Sequence, residues 1–363
     1  MSRPIYAQIN LAALRHNLAQ VRALTLDSRV FAVIKANGYG HGIVRVAKQL
    51  ASADGFAVAS LDEALILRQN GFLHRILLLE GAFQPDELSL IEQHRLDLVV
   101  HSPHQVDWLL DYQPKSPLKI WFKIDTGMHR LGFDLVSFSQ SMLKIRNALP
   151  KLKLNLMSHF ASVTESQAFT DLQLETFNQA CIDYNLPKSI ANSAAIQRLP
   201  QTHFDWVRPG IMLYGAGIDP SLQSRFKAVL TFKTQLISLK WIAEGETVGY
   251  GQTWTAPRRS LIGVAAAGYG DGYPRHAPNG TPVLVNGQRV LTVGRVSMDM
   301  ITLDLTDMSA QVAIGDPVTL WGEGLGVDEV AEKAGTIGYE LLCGITQRVP
   351  IQELDSEVQD DDR

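Results

Sequence analysis

One lysine lies where an apolar run breaks into glycines: residues 30–42 read VFAVIKANGYGHG. Residues 30–34 are short, apolar and rich in branched side chains, the pattern of a buried strand. Lys35 stands at its carboxyl end. Gly38, Gly40 and Gly42 let the backbone turn tightly and approach something closely. A lysine held there, partly desolvated, has its pKa pushed down and becomes an amine that can attack a carbonyl. A surface lysine at an ordinary strand end is the plainer alternative, and this segment alone does not separate the two. Tyr39, flanked by glycines, is a phenol donor near the lysine. Arg208 follows FDWV and precedes Pro209-Gly210. Facing a ring nitrogen, it would leave that nitrogen unprotonated, because guanidinium hardly gives up its proton. Its alternative is an arginine on a structural carboxylate.

Such groups need a frame that gathers them. From Val30 to about Gly217, short apolar runs alternate with helical patterns. The runs are VFAVI, GFAVAS near Gly55, RILLLE at Arg75 and DLVVHS at Asp97, then LKIWFKID at Leu118, LKLNLMSHF at Leu152, SIANS at Ser189 and FDWVRPGIMLYG at Phe204. Between them lie amphipathic stretches such as residues 61–71, with a glycine stop, and residues 170–185. Eight such repeats predict an α/β fold, a (β/α)8 TIM-like barrel, with a doubly wound open sheet as the competitor. Lys35, Ser60, Glu80, His101, Asp125, His159, Asn192 with Ser193, and Arg208 fall at or just past the carboxyl ends of these runs. In a barrel those ends converge on the face where active sites are built.

After Gly217 the rhythm changes. TFKTQLISLKWI, SLIGVAAAGY, TPVLVNGQRVLTVGRV and MITLDL read as strands, with Asn286-Gly287 at a tight hairpin turn. Only residues 327–345 look helical. Residues 1–225 are therefore expected to form the cofactor-binding barrel, its first ten residues able to pair with the β domain. Residues 226–363 form that mainly β domain, ending in an acidic, solvated tail, LDSEVQDDDR.

The 363 residues suffice for two domains with full cores, and 46% hydrophobic with 19% charged content is that of a globular enzyme. A net charge of −4 without basic runs gives no sign of a nucleic-acid surface. Cys181 and Cys343, far apart, indicate a reducing compartment without a disulfide framework. No secretory signal and no run of the roughly eighteen apolar residues a membrane span takes is present, so a cytoplasmic protein is expected. GYGDG at Gly268 lacks the spacing of a dinucleotide loop. His101 and His104 lack partners at metal-ligand spacing and read as helix-start and surface residues, so no metal is expected.

A lysine at the end of a barrel's first strand can hold an aldehyde cofactor as a Schiff base. Pyridoxal 5'-phosphate is the obvious one, an electron sink that acidifies an α-carbon. Its phosphate would find Tyr39 and the backbone N–H groups around Asn192-Ser193 and Gly210-Ile211, where barrels often build phosphate sites.

The motifs AVIKANGYGHG, KIDTGMHRLGF, SHFA, ANSAA, VRPGIMLYG, VGYGQTW, GYGDGYPR, GRVSMDM and IGYELL follow in order along nearly the whole chain. Together they resemble the alanine racemase family of fold-type III pyridoxal-phosphate enzymes. The resemblance implies that Lys35 carries the cofactor and is one catalytic base. Tyr250, in VGYGQTW, is then the second base, given by the partner subunit of a homodimer. It puts Arg208 at the pyridine nitrogen, and His159 under the ring, bonded towards Arg208. Tyr39, Asn192, Ser193, Gly210, Ile211 and Tyr339 fall around the cofactor, most of them at its phosphate. Arg130 and the partner's Met298, through its backbone N–H, bind the substrate carboxylate. Lys123 matches a position often carbamylated to steady the arginine, Tyr269 lines the substrate entry, and Asp299 supports the SMD segment.

Two bases also follow from chemistry, because inverting a stereocentre through a planar carbanion needs a proton acceptor on one face and a donor on the other. Lysine would take the α-proton of the D enantiomer and tyrosine that of the L. The tyrosine's ordinary pKa of about 10 must fall for this, so a cationic or hydrogen-bonding neighbour is expected. The expected activity is interconversion of L- and D-alanine, supplying peptidoglycan. The rivals are a racemase of another small amino acid such as serine, a fold-type III decarboxylase, and a non-catalytic pyridoxal-phosphate carrier. The decarboxylases carry a carboxylate where this chain has Arg208, and the carrier lacks the β domain.

Overall fold

A computed structural model describes residues 3–355; the tail from Ser356 onward lies outside the described residues. In chain order the strands are β1 (Tyr6–Asn10), β2 (Arg29–Val33), β3 (Gly55–Val58), β4 (Arg75–Leu78), β5 (Asp97–Val100) and β6 (Lys119–Lys123). There follow β7 (Lys153–Met157), β8 (Lys188–Ser189), β9 (Trp206–Val207), β10 (Leu230–Ile242), β11 (Thr247–Val248) and β12 (Trp254–Thr255). The last are β13 (Ser260–Ala265), β14 (Pro282–Val285), β15 (Gln288–Thr292), β16 (Ile301–Asp304), β17 (Pro317–Trp321) and β18 (Ile351–Leu354). The chain divides into two units. One is Arg15–Leu213 with Ile218–Arg225; the other joins Met1–Leu14 and Tyr214–Gly217 to Phe226–Arg363.

The first unit is an eight-stranded parallel sheet in the order β8-β7-β6-β5-β4-β3-β2-β9. Its strands are nearly continuous apolar runs because helices cover the outer face and side chains fill the inner one. Arg208 N–H donates to Ala191 O (3.0 Å) and Ser189 Oγ to Trp206 O (2.7 Å), joining the β9 end to the β8 end. The sheet is therefore a barrel and not an open sheet. Its amino-terminal end is plugged by Phe31 stacked on Trp206 (centroids 4.1 Å apart), with the Arg75 guanidinium over Trp206 (4.5 Å). Buried Asp97 pairs with Arg75 and accepts from Trp121 Nε1 (3.2 Å). Polar chemistry is thus left to the carboxyl end. Helices start there on side-chain caps: Ser60 accepts from Glu63 N–H, Asp134 from Val136 and Ser137 N–H, and Asn192 from Ala195 N–H.

In the second unit β10 pairs with β17 through its first half and with β13 through its second, across a bulge at Leu236/Ser238. The pairings β13–β16, β16–β15, β15–β14 and β14–β17 close a six-stranded ring. β1 adds antiparallel to β10 (Tyr6↔Lys233), and β18 adds parallel to β1 (Ala7↔Ile351). Asn286 and Gly287 form the hairpin turn with φ of 50° and 77°, the handedness that two-residue hairpins favour. Residues 327–345 are two helices, Val327–Lys333 and Gly338–Cys343, not one; Gly335 at φ 71° breaks them. Among the described residues no helix is long and apolar enough to cross a membrane.

Candidate active site

Lys35 leaves the end of β2 half-buried, and the backbone then makes a left-handed turn. Ala36 (φ 52°, ψ 51°), Asn37 (φ 53°, ψ 45°) and Tyr39 (φ 52°) all occupy it, with Gly38 among them. Each non-glycine residue there costs roughly 1–2 kcal/mol, and such strain concentrates at functional sites where the surroundings hold it. Asn37 holds it here: its Oδ1 accepts from Ile43 N–H (2.9 Å) and its carbonyl from Gly42 N–H (2.8 Å). The turn folds Tyr39 inward, 7% exposed, with Oη against Gly210, where a Cβ would come within 2.5 Å of it. Gly210 N–H donates to buried Ser193 Oγ (2.9 Å). The N–H groups of Ser193 and Ile211 have no acceptor among the described residues. Two hydroxyls and several backbone N–H groups therefore meet in a donor set suited to a phosphate.

Arg208 is buried at the end of β9. Its Nη1 donates to Ser189 Oγ, and its Nη2 to the carbonyls of Ser158 and Ile190 and towards His159 Nδ1 (3.4 Å). Nε has no acceptor, and no carboxylate pairs with this arginine, among the described residues; the structural-carboxylate alternative therefore fails. Burial lowers its pKa only to about 10, so it stays protonated at neutral pH and can only donate. Burial and the Arg208 charge hold His159 well below the usual imidazole range, so its ring is neutral. Gln173 fixes its strand end, donating to His159 O (3.2 Å) and Thr126 Oγ1 (3.2 Å). Ser158, Ser189 and Gln173 support the site; the only sequence signal for the two serines was a place in SHFA and SIANS, and Gln173 had none beyond its amphipathic helix.

Lys123, buried at the end of β6, has its amine pushed down to about 8, first by burial and then by the Arg208, Arg130 and Lys35 charges. Arg130 is exposed on a loop that Asp125 folds by accepting from Gly127 N–H (2.9 Å) and His129 N–H (3.1 Å). His101, read as a helix-start residue, stands just before the Ser102 cap of the helix Pro103–Tyr112; it is half-buried and makes a 3.2 Å bond with Glu80 O, and burial lowers its pKa.

The barrel unit thus brings together Lys35, Tyr39, Lys123, His159, Asn192, Ser193, Arg208, Gly210 and Ile211. Tyr250, Tyr269, Met298, Asp299 and Tyr339 belong to the other unit. There Tyr250 is 73% exposed on a glycine-flanked turn. The Arg295 guanidinium carbon lies 3.6 Å from where Gly251 would carry a Cβ, a cation flanking that turn. Met298 is 52% exposed, and its N–H has no acceptor among the described residues. Burial and the Asp328 charge push Tyr339 up to about 12, keeping it a neutral donor.

Residues 9–217 match the family model for the alanine racemase N-terminal domain, and residues 229–352 that for the C-terminal domain. An alanine racemase of Nitrosococcus oceani is 50% identical over 350 residues, covering 95% of this chain and 98% of that protein. The biosynthetic alanine racemase of Pseudomonas aeruginosa is 48% identical over 354 residues, 96% of this chain and 98% of its own. A crystal structure of a biosynthetic alanine racemase from P. aeruginosa superposes with a TM-score of 0.93 at 46% identity, covering 97% of this chain and 99% of that one. The alanine racemase structure from Acinetobacter baumannii gives 0.92 at 37% identity, covering 97% and 100%. The chain belongs to the alanine racemase family of pyridoxal-phosphate-dependent isomerases.

Proposed function

We propose that the protein interconverts L- and D-alanine as a cytoplasmic homodimer, supplying D-alanine for peptidoglycan. The observation that carries the chemistry is the cluster at the carboxyl end of the barrel: a half-buried lysine, a phosphate-shaped donor set, and a buried arginine without a carboxylate. These groups fit pyridoxal phosphate, which when bound supplies an electron sink for the substrate α-carbon. Lys35 Nζ would link to it, and Tyr39, Ser193, Gly210 and Ile211, with Asn192 and Tyr339 alongside, would hold its phosphate. Arg208 Nε would donate to the ring nitrogen without protonating it, which restrains charge spread and discourages side reactions. A carboxylate there, as the decarboxylase rival requires, is absent among the described residues.

Lys35 Nζ would take the α-proton of D-alanine, and Tyr250 Oη of the partner subunit that of L-alanine. Each positioned acid or base contributes typically about 10²- to 10⁴-fold. Arg130 and the N–H of Met298 of the partner subunit would anchor the carboxylate, Asp299 would support that segment, and Tyr269 would line the entry. Carbamylation of Lys123 would turn a cation among cations into an anion that steadies Arg130. In this division of work the barrel carries the cofactor and the β domain carries the second base. The test is L-alanine with cofactor-loaded protein in deuterated water, following ellipticity and α-deuterium together. Loss of ellipticity with deuterated D-alanine appearing is expected. Neither change with alanine, but racemisation of serine, would move the assignment to the broader racemase.

A further inference from the structure

Asp271, in the GYGDG loop, is fully buried between two arginines far from it in sequence. Arg3 donates through Nη1 to Oδ1 (2.8 Å) and through Nη2 to Oδ2 (3.1 Å), while Arg348 Nε meets Oδ1 (2.7 Å). Gly268 N–H donates to Oδ2 (2.9 Å). Both arginines continue onto the SMD turn. Arg348 Nη2 donates to Asp299 Oδ1 (2.7 Å) and Met298 O (3.3 Å), and Arg3 Nη2 to Asp299 O (3.3 Å). The loop itself grips that turn: Gly270 N–H donates to Met298 O (2.9 Å) and Tyr269 N–H to Ser297 O (3.0 Å). A Cβ on Gly268 would lie 2.3 Å from Ser297 O, so the approach admits no side chain. The carbonyl of Met298 is thus fixed twice over, while its N–H donates to nothing among the described residues. The Met298 N–H shares its planar peptide with Ser297 O, which Tyr269 N–H holds (3.0 Å), so its direction is set by that bond, while the doubly held Met298 O fixes the peptide that follows.

We propose that Asp271, clamped by Arg3 and Arg348, is a positioning device that aims the Met298 N–H at the substrate carboxylate. The inference rests on the racemase reading above. A cluster serving stability alone would not have to leave this one N–H without an acceptor while holding the carbonyls on both sides of it, Ser297 O and Met298 O. Asp271 gathers the device, and Arg348 is its only member that bonds to both Asp271 and Met298.

The test uses Arg348→Gln, with Arg348→Lys as the conservative partner; the Arg348 side chain is 39% exposed, so shortening it leaves no buried cavity. Amide exchange of residues 268–270 and 297–300 is compared in full-length, cofactor-free protein, and KM and kcat for alanine in the loaded enzyme. For Arg348→Gln, those amides should exchange about tenfold faster, and KM should rise about tenfold with kcat changed by less than about twofold. Arg348→Lys should recover part of the KM. Unchanged KM in Arg348→Gln, with only thermal stability lowered, overturns the proposal and leaves the racemase reading standing. Wild-type protein that leaves alanine untouched overturns that reading and the proposal with it.

Discussion

Lys123→Met should stabilise the protein. The amine at about 8 instead of the ordinary 10.5 reflects a charge held where burial and three cations disfavour it. That difference corresponds to about 3 kcal/mol between its protonated and neutral forms. The folded pKa is depressed below the unfolded one, so the penalty is full below pH 8 and vanishes as pH rises past 10.5. At pH 7 the substitution should therefore gain up to about 3 kcal/mol, or roughly 4 °C in Tm for a chain of this size, and nothing at pH 10.5. The depressed pKa also leaves roughly 300-fold more neutral amine at pH 7 than a free lysine has. It can add carbon dioxide, releasing one proton and leaving a carbamate anion. Bicarbonate should then raise the Tm of wild-type protein and leave Lys123→Met unmoved. Thermal melts of cofactor-free protein across pH 7–10.5, with and without bicarbonate, make the check. A Lys123→Met variant that is less stable at pH 7, together with wild type indifferent to bicarbonate, would refute the reasoning.

Other perturbations separate the frame from the chemistry. Asp97→Ala strands the Arg75 charge in the barrel plug and should cost about 3–5 kcal/mol in denaturant titration, with kcat and KM intact at a permissive temperature. Gly210→Ala pushes a methyl onto Tyr39 Oη and into the phosphate donors, so equilibrium dialysis should find pyridoxal phosphate held about tenfold more weakly. Retention at wild-type strength would remove Gly210 from the cofactor site. Lys35→Ala should lose the borohydride-trappable cofactor; a labelled peptide that stays unchanged would give the link to another lysine.

The barrel strands were legible because a buried parallel strand announces itself as an apolar run, even where only Lys188–Ser189 or Trp206–Val207 keep ladder geometry. The edges of the β unit were not. PVTLW and IQEL become strands by pairing across the ring or with a segment more than three hundred residues away, and nothing local marks that. Gly335 broke a helical pattern whose periodicity ran through it. At the site, Lys35 and Arg208 were visible as polar residues closing apolar runs. The left-handed turn was not, because Ala36 gives no sign of it, and Asn37 with the glycines permits such a backbone without requiring it. Lys123 reads as the outer end of an amphipathic strand, and only a resemblance singled it out. The Arg3–Asp271–Arg348 clamp joins both ends of the chain to one loop, a pairing that only the fold creates.

The division of labour between Lys35 and Tyr250 is tested most directly by Tyr250→Phe, offered L- and D-alanine separately in deuterated water. Each enantiomer is followed for α-deuterium and for inversion. D-alanine should still gain deuterium without inverting, because Lys35 remains, while L-alanine should keep its α-proton in a coloured, cofactor-loaded protein. Near-normal exchange and inversion of L-alanine would contradict the two-base account.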